Sequence, residues 1–140
     1  QVLRRRPMLV VDGAHNAESA RRLKEAIIQY FDFGRLILIF GASVDKDIAG
    51  MMAELTPICD TVIVTRSRHP RSAPAAMLAD ELLKWGVASQ ATEDVGSAVK
   101  LSLAMSEERD LICATGSLFI TAEVMEYMER RMQSDPSGSL

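Results

Sequence analysis

The sequence predicts an α/β fold in which a mostly parallel β-sheet is covered by helices on both faces. Two observations predict it. Four short apolar runs recur along the chain, and each has the length and the continuous apolar character of a strand buried on both faces. Helical patterns, with apolar residues three and four positions apart, stand between these runs. Strands that alternate with helices are typical of a Rossmann-like, doubly wound sheet.

Each predicted strand is followed directly by polar residues. The four strands are Met8–Val11, Leu36–Phe40, Thr61–Val64 and 111–114, with a short extra strand expected within 87–91. Parallel strands end at the same edge of a sheet, and open α/β sheets bind their ligands beyond that edge. We therefore expect the polar segments to converge in space, although they are far apart in sequence.

Five helices are predicted from capping residues and apolar stripes. Asn16, Asp47, Asp94 and Ser117 are candidate N-caps, and Pro74 suits the first turn of the third helix. The fourth helix is expected to run from about 95 to 105. The side chains expected to face inward are Ala20, Leu23, Ile27 and Phe31; Ile48, Met51, Met52 and Leu55; Met77, Leu78, Leu82 and Trp85; and Ile120, Val124 and Met128.

Length and composition indicate one domain. The chain has 140 residues and is 48% hydrophobic, which is enough for a sizeable core. We expect the domain to cover residues 1–133. Residues 134–140 are predicted to be a disordered tail, because they are rich in Ser, Pro and Gly and have no apolar periodicity. The chain starts at Gln1 rather than Met and looks like a part of a longer polypeptide.

The charge balance argues against several classes of partner. With 16 Lys and Arg against 19 Asp and Glu, the net charge is −3, which gives no support for binding to nucleic acid or to an anionic membrane. No apolar run approaches the roughly 20 residues of a membrane span, and no signal peptide is visible. Cys59 and Cys113 are expected to be buried thiols of a cytoplasmic protein, because no metal-ligand spacing is present. No metal site is predicted.

Three common motifs of α/β enzymes are missing from the sequence. It has no Gly-x-x-x-x-Gly-Lys-[Ser/Thr] cradle for a triphosphate, no Gly-x-Gly-x-x-Gly after its first strand, and no Gly-x-Ser-x-Gly nucleophile elbow. A dehydrogenase or a complete nucleotidase is therefore poorly supported.

Four motifs carry a resemblance to a known family. They are Val11-Asp12-Gly13-Ala14-His15-Asn16, then Phe40-Gly41-Ala42 with Asp45-Lys46-Asp47, then Pro70-Arg71-Ser72-Ala73, and last Thr115-Gly116-Ser117-Leu118-Phe119. Together they resemble, in order and over nearly the whole chain, the C-terminal domain of folylpolyglutamate synthase and dihydrofolate synthase in the Mur ligase superfamily.

The resemblance implies a division of labour between two domains. A larger N-terminal ATPase domain, not part of this chain, would carry the phosphate-binding loop, most magnesium ligands and the folate site. The C-terminal domain would close over ATP and help to bind glutamate. The reaction joins a folate or pteroate carboxylate to the amino group of glutamate through an acyl-phosphate. ATP and Mg²⁺ are implied for the full-length ligase, whereas this domain alone is expected to bind neither and to be inactive.

The same resemblance implies roles for single residues near the first strand. Asp12 matches an aspartate that contacts the ATP ribose, and His15 matches a catalytic histidine near the γ-phosphate and the glutamate. The structural alternatives are a turn-forming or capping Asp12 and a histidine in a surface turn. Asn16 is a candidate loop contact but is more typical of a helix cap.

Arg71 and Ser117 are the implied glutamate-binding residues. A guanidinium fork suits a carboxylate, whereas the alternatives are a surface arginine and a simple N-cap serine. Asp45, Lys46 and Asp47 could order a loop or touch a ligand, or form a solvated cluster that caps a helix. His69 and the run Arg4-Arg5-Arg6 are interpreted mainly as surface.

Two alternatives remain open at the level of sequence. One is a cell-wall Mur-type ligase that adds a different amino acid, which the Gly-Ser-Leu-Phe ending argues against. The other is a non-catalytic module that binds a small molecule, which the start at Gln1 argues against. The sequence does not distinguish dihydrofolate synthase from folylpolyglutamate synthase activity, and it does not indicate the oligomeric state.

Overall fold

The computed structural model describes residues 1–134, and within them a single sheet forms the centre of the molecule. Its strands are β1 (Val2–Arg5), β2 (Met8–Val11), β3 (Leu36–Phe40), β4 (Thr61–Val64), β5 (Gln90–Ala91) and β6 (Leu111–Thr115). The helices are α1 (Ala17–Tyr30), α2 (Ile48–Leu55), α3 (Ala75–Lys84), α4 (Val95–Met105) and α5 (Leu118–Ser134), with a 3₁₀ turn at Thr56–Ile58.

The strands are arranged in the order β1-β2-β6-β3-β4-β5. From β2 to β5 all neighbouring strands are parallel, and only β1 is antiparallel to its neighbour. The predicted mostly parallel, doubly wound sheet is therefore confirmed. Because β6 lies between β2 and β3, the carboxyl ends of β2, β6, β3 and β4 are consecutive along one edge, which we call the carboxyl edge.

Helices cover both faces of the sheet, and each face has its own apolar core. Helices α1, α2 and α3 pack on one face, and α4 and α5 pack on the other. Strand β3 shows why its sequence is apolar throughout. Leu36, Leu38 and Phe40 point into the first core, whereas Ile37 and Ile39 point into the second. A strand covered on both faces has no exposed position for a polar residue.

Strand β1 was not predicted from the sequence. It forms a hairpin with β2, in which Arg4 pairs with Leu9 and Arg5 with Met8. The consecutive arginines hide any apolar alternation, and charged residues are common on an edge strand because they discourage pairing with other chains. The extra strand expected within 87–91 is present as β5, which has only two residues and lies on the side of the sheet opposite to β1.

The predicted helix caps are confirmed. Asn16, Asp47, Asp94 and Ser117 each accept a hydrogen bond from the backbone N–H three residues further along, at 2.7, 3.0, 2.7 and 3.1 Å respectively. Pro74 lies one residue earlier than expected, immediately before the first residue of α3. Since an N-cap depends only on residues within one turn, its signal is readable in the sequence.

The apolar stripe predicted for α3 is partly wrong. Leu78 and Leu82 are buried, but Met77 and Trp85 are 46% and 49% exposed. Helix α3 contacts mainly β4 and β5, the last two strands on one side of the sheet. Fewer of its residues are therefore buried against the sheet than expected. In α1, Phe31 is only half-buried at the helix end, whereas the other inward positions predicted for α1, α2 and α5 are buried.

Helix α5 runs to Ser134, which is the first residue of the predicted tail. Residues 135–140 of the predicted tail lie outside the described residues. Among residues 1–134, no helix combines the length and the apolar character needed to cross a membrane. Cys113 is buried and Cys59 is half-buried, and both are free thiols. Burial, with a smaller effect from Asp60, raises the pKa of Cys59 to about 12, so this thiol is unreactive at neutral pH.

Candidate functional site

The segments after the parallel strands meet at the carboxyl edge, as predicted. Backbone hydrogen bonds join them in pairs: Asp12 N to Ala114 O (3.1 Å), Gly116 N to Ala14 O (3.2 Å), and Gly41 N to Thr115 O (3.3 Å). The segments that follow β2, β6 and β3 therefore form one continuous surface.

Gly116 lies directly against the main chain of Gly41. Its φ is +116°, a conformation that residues with a Cβ rarely adopt. A Cβ atom at this position would lie 1.9 Å from the carbonyl oxygen of Gly41. Glycine is therefore required here, because any side chain would push apart the segments that follow β6 and β3.

Asp12 has a structural role and also an available oxygen. Its Oδ1 accepts a hydrogen bond from Ala14 N at 2.9 Å, which is the turn-forming alternative weighed above. Among the described residues no hydrogen bond reaches its Oδ2, and the side chain is exposed. Thr121 Oγ1 of α5 donates to the Asp12 carbonyl at 3.2 Å and joins this turn to α5. One carboxylate oxygen builds the turn, and the other has no hydrogen-bond partner among the described residues.

His15 is exposed beside Asp12, and its ring orientation is set locally. Its Nδ1 lies 3.0 Å from the carbonyl oxygen of Gly13. A carbonyl can only accept, so Nδ1 carries a proton and Nε2 is the available acceptor of the neutral ring. Asn16 forms a capping box with Ser19 at the start of α1, which supports its interpretation as a cap.

Arg71 lies on the segment after β4 and is held against the segment after β3. Its guanidinium Nη2 is 2.9 Å from Oδ2 of Asp45, although the arginine side chain remains 62% exposed. Two backbone hydrogen bonds, both 2.8 Å long, join the same segments, from Val44 N to Arg71 O and from Ala73 N to Ala42 O. The position of Arg71 is therefore defined by its main chain as well as by its charge.

The three charged residues after β3 do three different things. Asp45 pairs with Arg71, and Asp47 caps α2. Lys46 is exposed, and its side chain forms no ion pair with the residues that the structure describes. The predicted helix cap is confirmed for Asp47, whereas a contact of Asp45 or Lys46 with a ligand stays a prediction.

Ser117 lies at the start of α5 and is 8% exposed. Its Oγ accepts the hydrogen bond from Ile120 N that caps the helix, so its hydroxyl hydrogen remains available as a donor. Thr115, two residues earlier, is fully buried, and its Oγ1 has no hydrogen-bond partner among the described residues. Of the two hydroxyl groups, that of Thr115 is therefore buried, and that of Ser117 keeps a hydrogen that it can donate.

One feature of this edge was missed in the sequence. The ring of His69 stacks on the ring of Phe119, with centroids 4.1 Å apart and an interplanar angle of 26°. His69 was interpreted mainly as a surface residue, and it is half-buried. No spacing rule indicates a contact between residues so far apart in sequence, so only the fold reveals this pair.

The carboxyl edge presents polar groups that can bind a ligand. It offers a carboxylate oxygen, an imidazole, a guanidinium and hydroxyl groups. Among residues 1–134, no three His, Cys, Asp or Glu side chains are close enough together to hold a metal ion. The chain also lacks a glycine-rich phosphate cradle.

The comparisons with known proteins agree with this geometry. The family model described as "Mur ligase, glutamate ligase domain" matches residues 1–118. A probable bifunctional folylpolyglutamate synthase/dihydropteroate synthase of Halobacterium salinarum is 36% identical over 135 residues, which cover 96% of this chain and 16% of that protein. The chain therefore spans less than a fifth of this relative.

Solved structures with related sequences share the fold. E. coli FolC in complex with DHPP and ADP has a TM-score of 0.82 and 29% identity, covering 89% of this chain and 29% of that one. A bifunctional folylpolyglutamate synthase/dihydrofolate synthase with Mn, AMPPNP and L-glutamate bound has a TM-score of 0.84 and 30% identity, covering 92% and 30%. The family match and these structures lead to one conclusion: the chain belongs to the Mur ligase family, as its glutamate ligase domain.

Proposed function

We propose that this chain is the C-terminal domain of an ATP-dependent ligase that adds glutamate to a folate or pteroate carboxylate through an acyl-phosphate. The observation that carries the proposal is the convergence of Asp12, Arg71 and Ser117 on one edge of the sheet. These residues come from three separate segments, and the edge is where open α/β sheets bind their ligands.

Asp12 would contact the nucleotide. Its Oδ2 is an available anionic acceptor, and a carboxylate accepts hydrogen bonds from ribose hydroxyl groups well. The turn to Ala14 fixes the carboxylate in place, so little side-chain freedom would be lost on binding. His15 would lie beside the same ligand, and a protonated imidazole there could stabilise negative charge that develops on a phosphate.

Arg71 and Ser117 would bind the incoming glutamate. The planar guanidinium can donate two parallel hydrogen bonds to a carboxylate, and the Ser117 hydroxyl can donate one more. Asp45 forms an ion pair with the guanidinium, so the glutamate carboxylate would compete with the carboxylate of Asp45. The ion pair between Arg71 and Asp45 is exposed to solvent, which keeps the cost of breaking it small.

The remaining parts of the reaction would come from another domain. The chain has no phosphate cradle and, in its described residues, no group of acidic or histidine side chains that would bind Mg²⁺ alone. The structural relatives are about three times as long as the part that this chain matches. An N-terminal domain would therefore supply the phosphate loop, the magnesium ligands and the folate site. A cytoplasmic location is part of the same proposal.

ATP turnover tests this proposal. With folate and glutamate present, we expect the 140-residue chain to show no turnover and the full-length ligase that contains it to form the glutamate adduct. Turnover by the chain alone that matched a complete ligase would contradict the proposal. Replacing both substrates, folate by UDP-N-acetylmuramoyl-L-alanyl-D-glutamate and glutamate by diaminopimelate, separates a folate ligase from a cell-wall ligase, because each enzyme consumes ATP only with its own carboxylate and amino acid.

A further inference from the structure

The turn that carries Arg71 is built around His69. Ser72 N donates to His69 O at 3.0 Å, which closes a four-residue turn with Pro70 in its second position. Arg71 N donates to Nδ1 of His69 at 3.1 Å. The backbone of the predicted glutamate-binding arginine is therefore hydrogen-bonded to the imidazole of His69.

The hydrogen bond to Arg71 defines the protonation of the ring. Because the backbone N–H of Arg71 donates, Nδ1 of His69 must accept, and the neutral ring then carries its proton on Nε2. This is the opposite tautomer from His15, whose Nδ1 faces a carbonyl oxygen. At the first position of a turn, Asp and Asn side chains commonly accept from the N–H two residues further on, and His69 does the same with its ring.

A residue of α5 contacts the face of the His69 ring. Phe119 stacks on His69 at 4.1 Å, and it lies two residues after Ser117. The imidazole therefore touches the turn of Arg71 on one side and the first turn of α5 on the other. Phe119 is 43% exposed, so it contributes this contact without being part of either apolar core.

We propose that His69 is a positioning residue. By accepting from Arg71 N and stacking on Phe119, it fixes the turn of Arg71 relative to Ser117, so that both residues can reach one ligand. The effect on glutamate rests on the proposed function above, whereas the effect on the turn does not. His69 would act through Arg71 and need not touch the glutamate.

Four variants separate the two contacts of the ring. His69→Asn keeps an acceptor for the N–H of Arg71 but removes the ring, and His69→Leu removes both contacts. Phe119→Leu removes only the stacking. Tyr30→Leu is the matched control, because Tyr30 is an aromatic residue at the far end of α1 that is 73% exposed.

NMR on the 140-residue chain tests the turn directly. We expect ring nitrogen–proton correlations to show the Nε2–H tautomer for His69 and the Nδ1–H tautomer for His15. Hydrogen exchange of the Arg71 amide should accelerate about tenfold in His69→Leu, remain near wild type in His69→Asn, and be unchanged in Tyr30→Leu. An Nδ1–H tautomer for His69, or equal exchange in His69→Leu and wild type, would overturn the inference.

Kinetics of the full-length ligase test the consequence for the substrate. The Michaelis constant for glutamate should rise about tenfold in His69→Leu, and about two- to threefold in both Phe119→Leu and His69→Asn, which lose only the stacking, with an unchanged constant for ATP. If the exchange data follow expectation but the glutamate constant stays at wild type in every variant, the role of Arg71 in glutamate binding is wrong and the turn inference stands. Equal rises for both substrates would contradict a positioning role, because they indicate a general folding defect.

Discussion

The charged residues at the two ends of the parallel strands differ in how many of their hydrogen bonds are made within the protein. We call the end at which β3 and β6 begin the amino edge. At the amino edge, Asp110 is 4% exposed and both of its oxygens are occupied. Its Oδ2 accepts from Arg35 Nη2 at 2.7 Å and from Glu107 N at 2.8 Å, and its Oδ1 accepts from Arg35 N at 3.2 Å. Nearby, Asp60 Oδ2 accepts from Leu36 N at 2.7 Å. The carboxylates at this edge therefore already accept hydrogen bonds from backbone N–H groups at or near the starts of the strands.

At the carboxyl edge, the charged groups keep part of their bonding capacity. Asp12 uses one oxygen for its turn, and Arg71 makes a single ion pair while remaining mostly exposed. The comparison teaches that a charge can be assigned to stability or to binding by asking whether its hydrogen bonds are already used. Substitutions at the amino edge should therefore lower stability, and substitutions at the carboxyl edge should lower affinity.

The largest effect is expected for Asp110→Ala. The change leaves two backbone N–H groups without an acceptor and removes the partner of Arg35, so the free energy of unfolding should fall by roughly 2–3 kcal/mol. Urea denaturation measures it. Asp32→Ala is the control, since Asp32 is an exposed aspartate beside the same residues, and it should change stability by less than about 0.5 kcal/mol. Equal losses in the two variants would remove the contrast between buried and exposed carboxylates.

Acid sensitivity should follow from the same residue. Hydrogen bonding to Arg35 lowers the pKa of Asp110 despite the opposing effect of burial. A lowered folded-state pKa stabilises the fold above the unfolded value of about 3.9, and this stability is lost as the pH falls through the folded value. Asp110→Asn should therefore show a shallower loss of stability below about pH 4 than the wild type. Parallel pH profiles would contradict this origin of the acid sensitivity.

A moderate effect is expected for Asp12→Asn in the full-length ligase. The amide oxygen of Asn can still accept from Ala14 N, so the turn and the stability should be kept. The loss of the negative charge should raise the Michaelis constant for ATP roughly five- to tenfold. A variant with normal stability and an unchanged constant for ATP would leave Asp12 as a turn residue only.

Features that depend on residues close together in the chain could be predicted from the sequence, whereas most contacts between distant residues could not. The caps of α1, α2, α4 and α5 were correct because each involves a donor three residues away. The convergence of polar segments was also correct, since it follows from strand direction alone. The outward positions of Met77 and Trp85 were not predictable, because they depend on how far the sheet extends beneath α3.

Within the site, the sequence and its resemblance indicated residues but not their partners. Asp12, His15, Arg71 and Ser117 do lie at the carboxyl edge, but their roles toward ligands stay predictions. Nothing in the spacing indicated that Asp45 would pair with Arg71, since the two residues belong to segments that meet only in the folded chain.

The smallest effect is expected for Asp45→Asn. The change removes the carboxylate that competes with glutamate for Arg71, while the backbone hydrogen bonds to Val44 and Ala42 still hold the segment. Because exposed ion pairs contribute at most about 1 kcal/mol, the Michaelis constant for glutamate should fall about two- to threefold. Isothermal or steady-state titration with glutamate checks it, with Lys46→Gln as the neighbouring charge control. A rise in the constant would mean that Asp45 holds Arg71 in place and does not compete with the substrate.

The most direct test of the central claim is to measure the Michaelis constants for ATP and glutamate side by side in Asp12→Asn and Arg71→Lys of the full-length ligase. Lysine keeps the charge of Arg71 but cannot form the two parallel hydrogen bonds of a guanidinium. The account predicts that Asp12→Asn raises the constant for ATP alone and that Arg71→Lys raises the constant for glutamate alone, by about fivefold. Two variants that raise both constants equally, or neither, would contradict the assignment of nucleotide and glutamate to separate residues of the carboxyl edge.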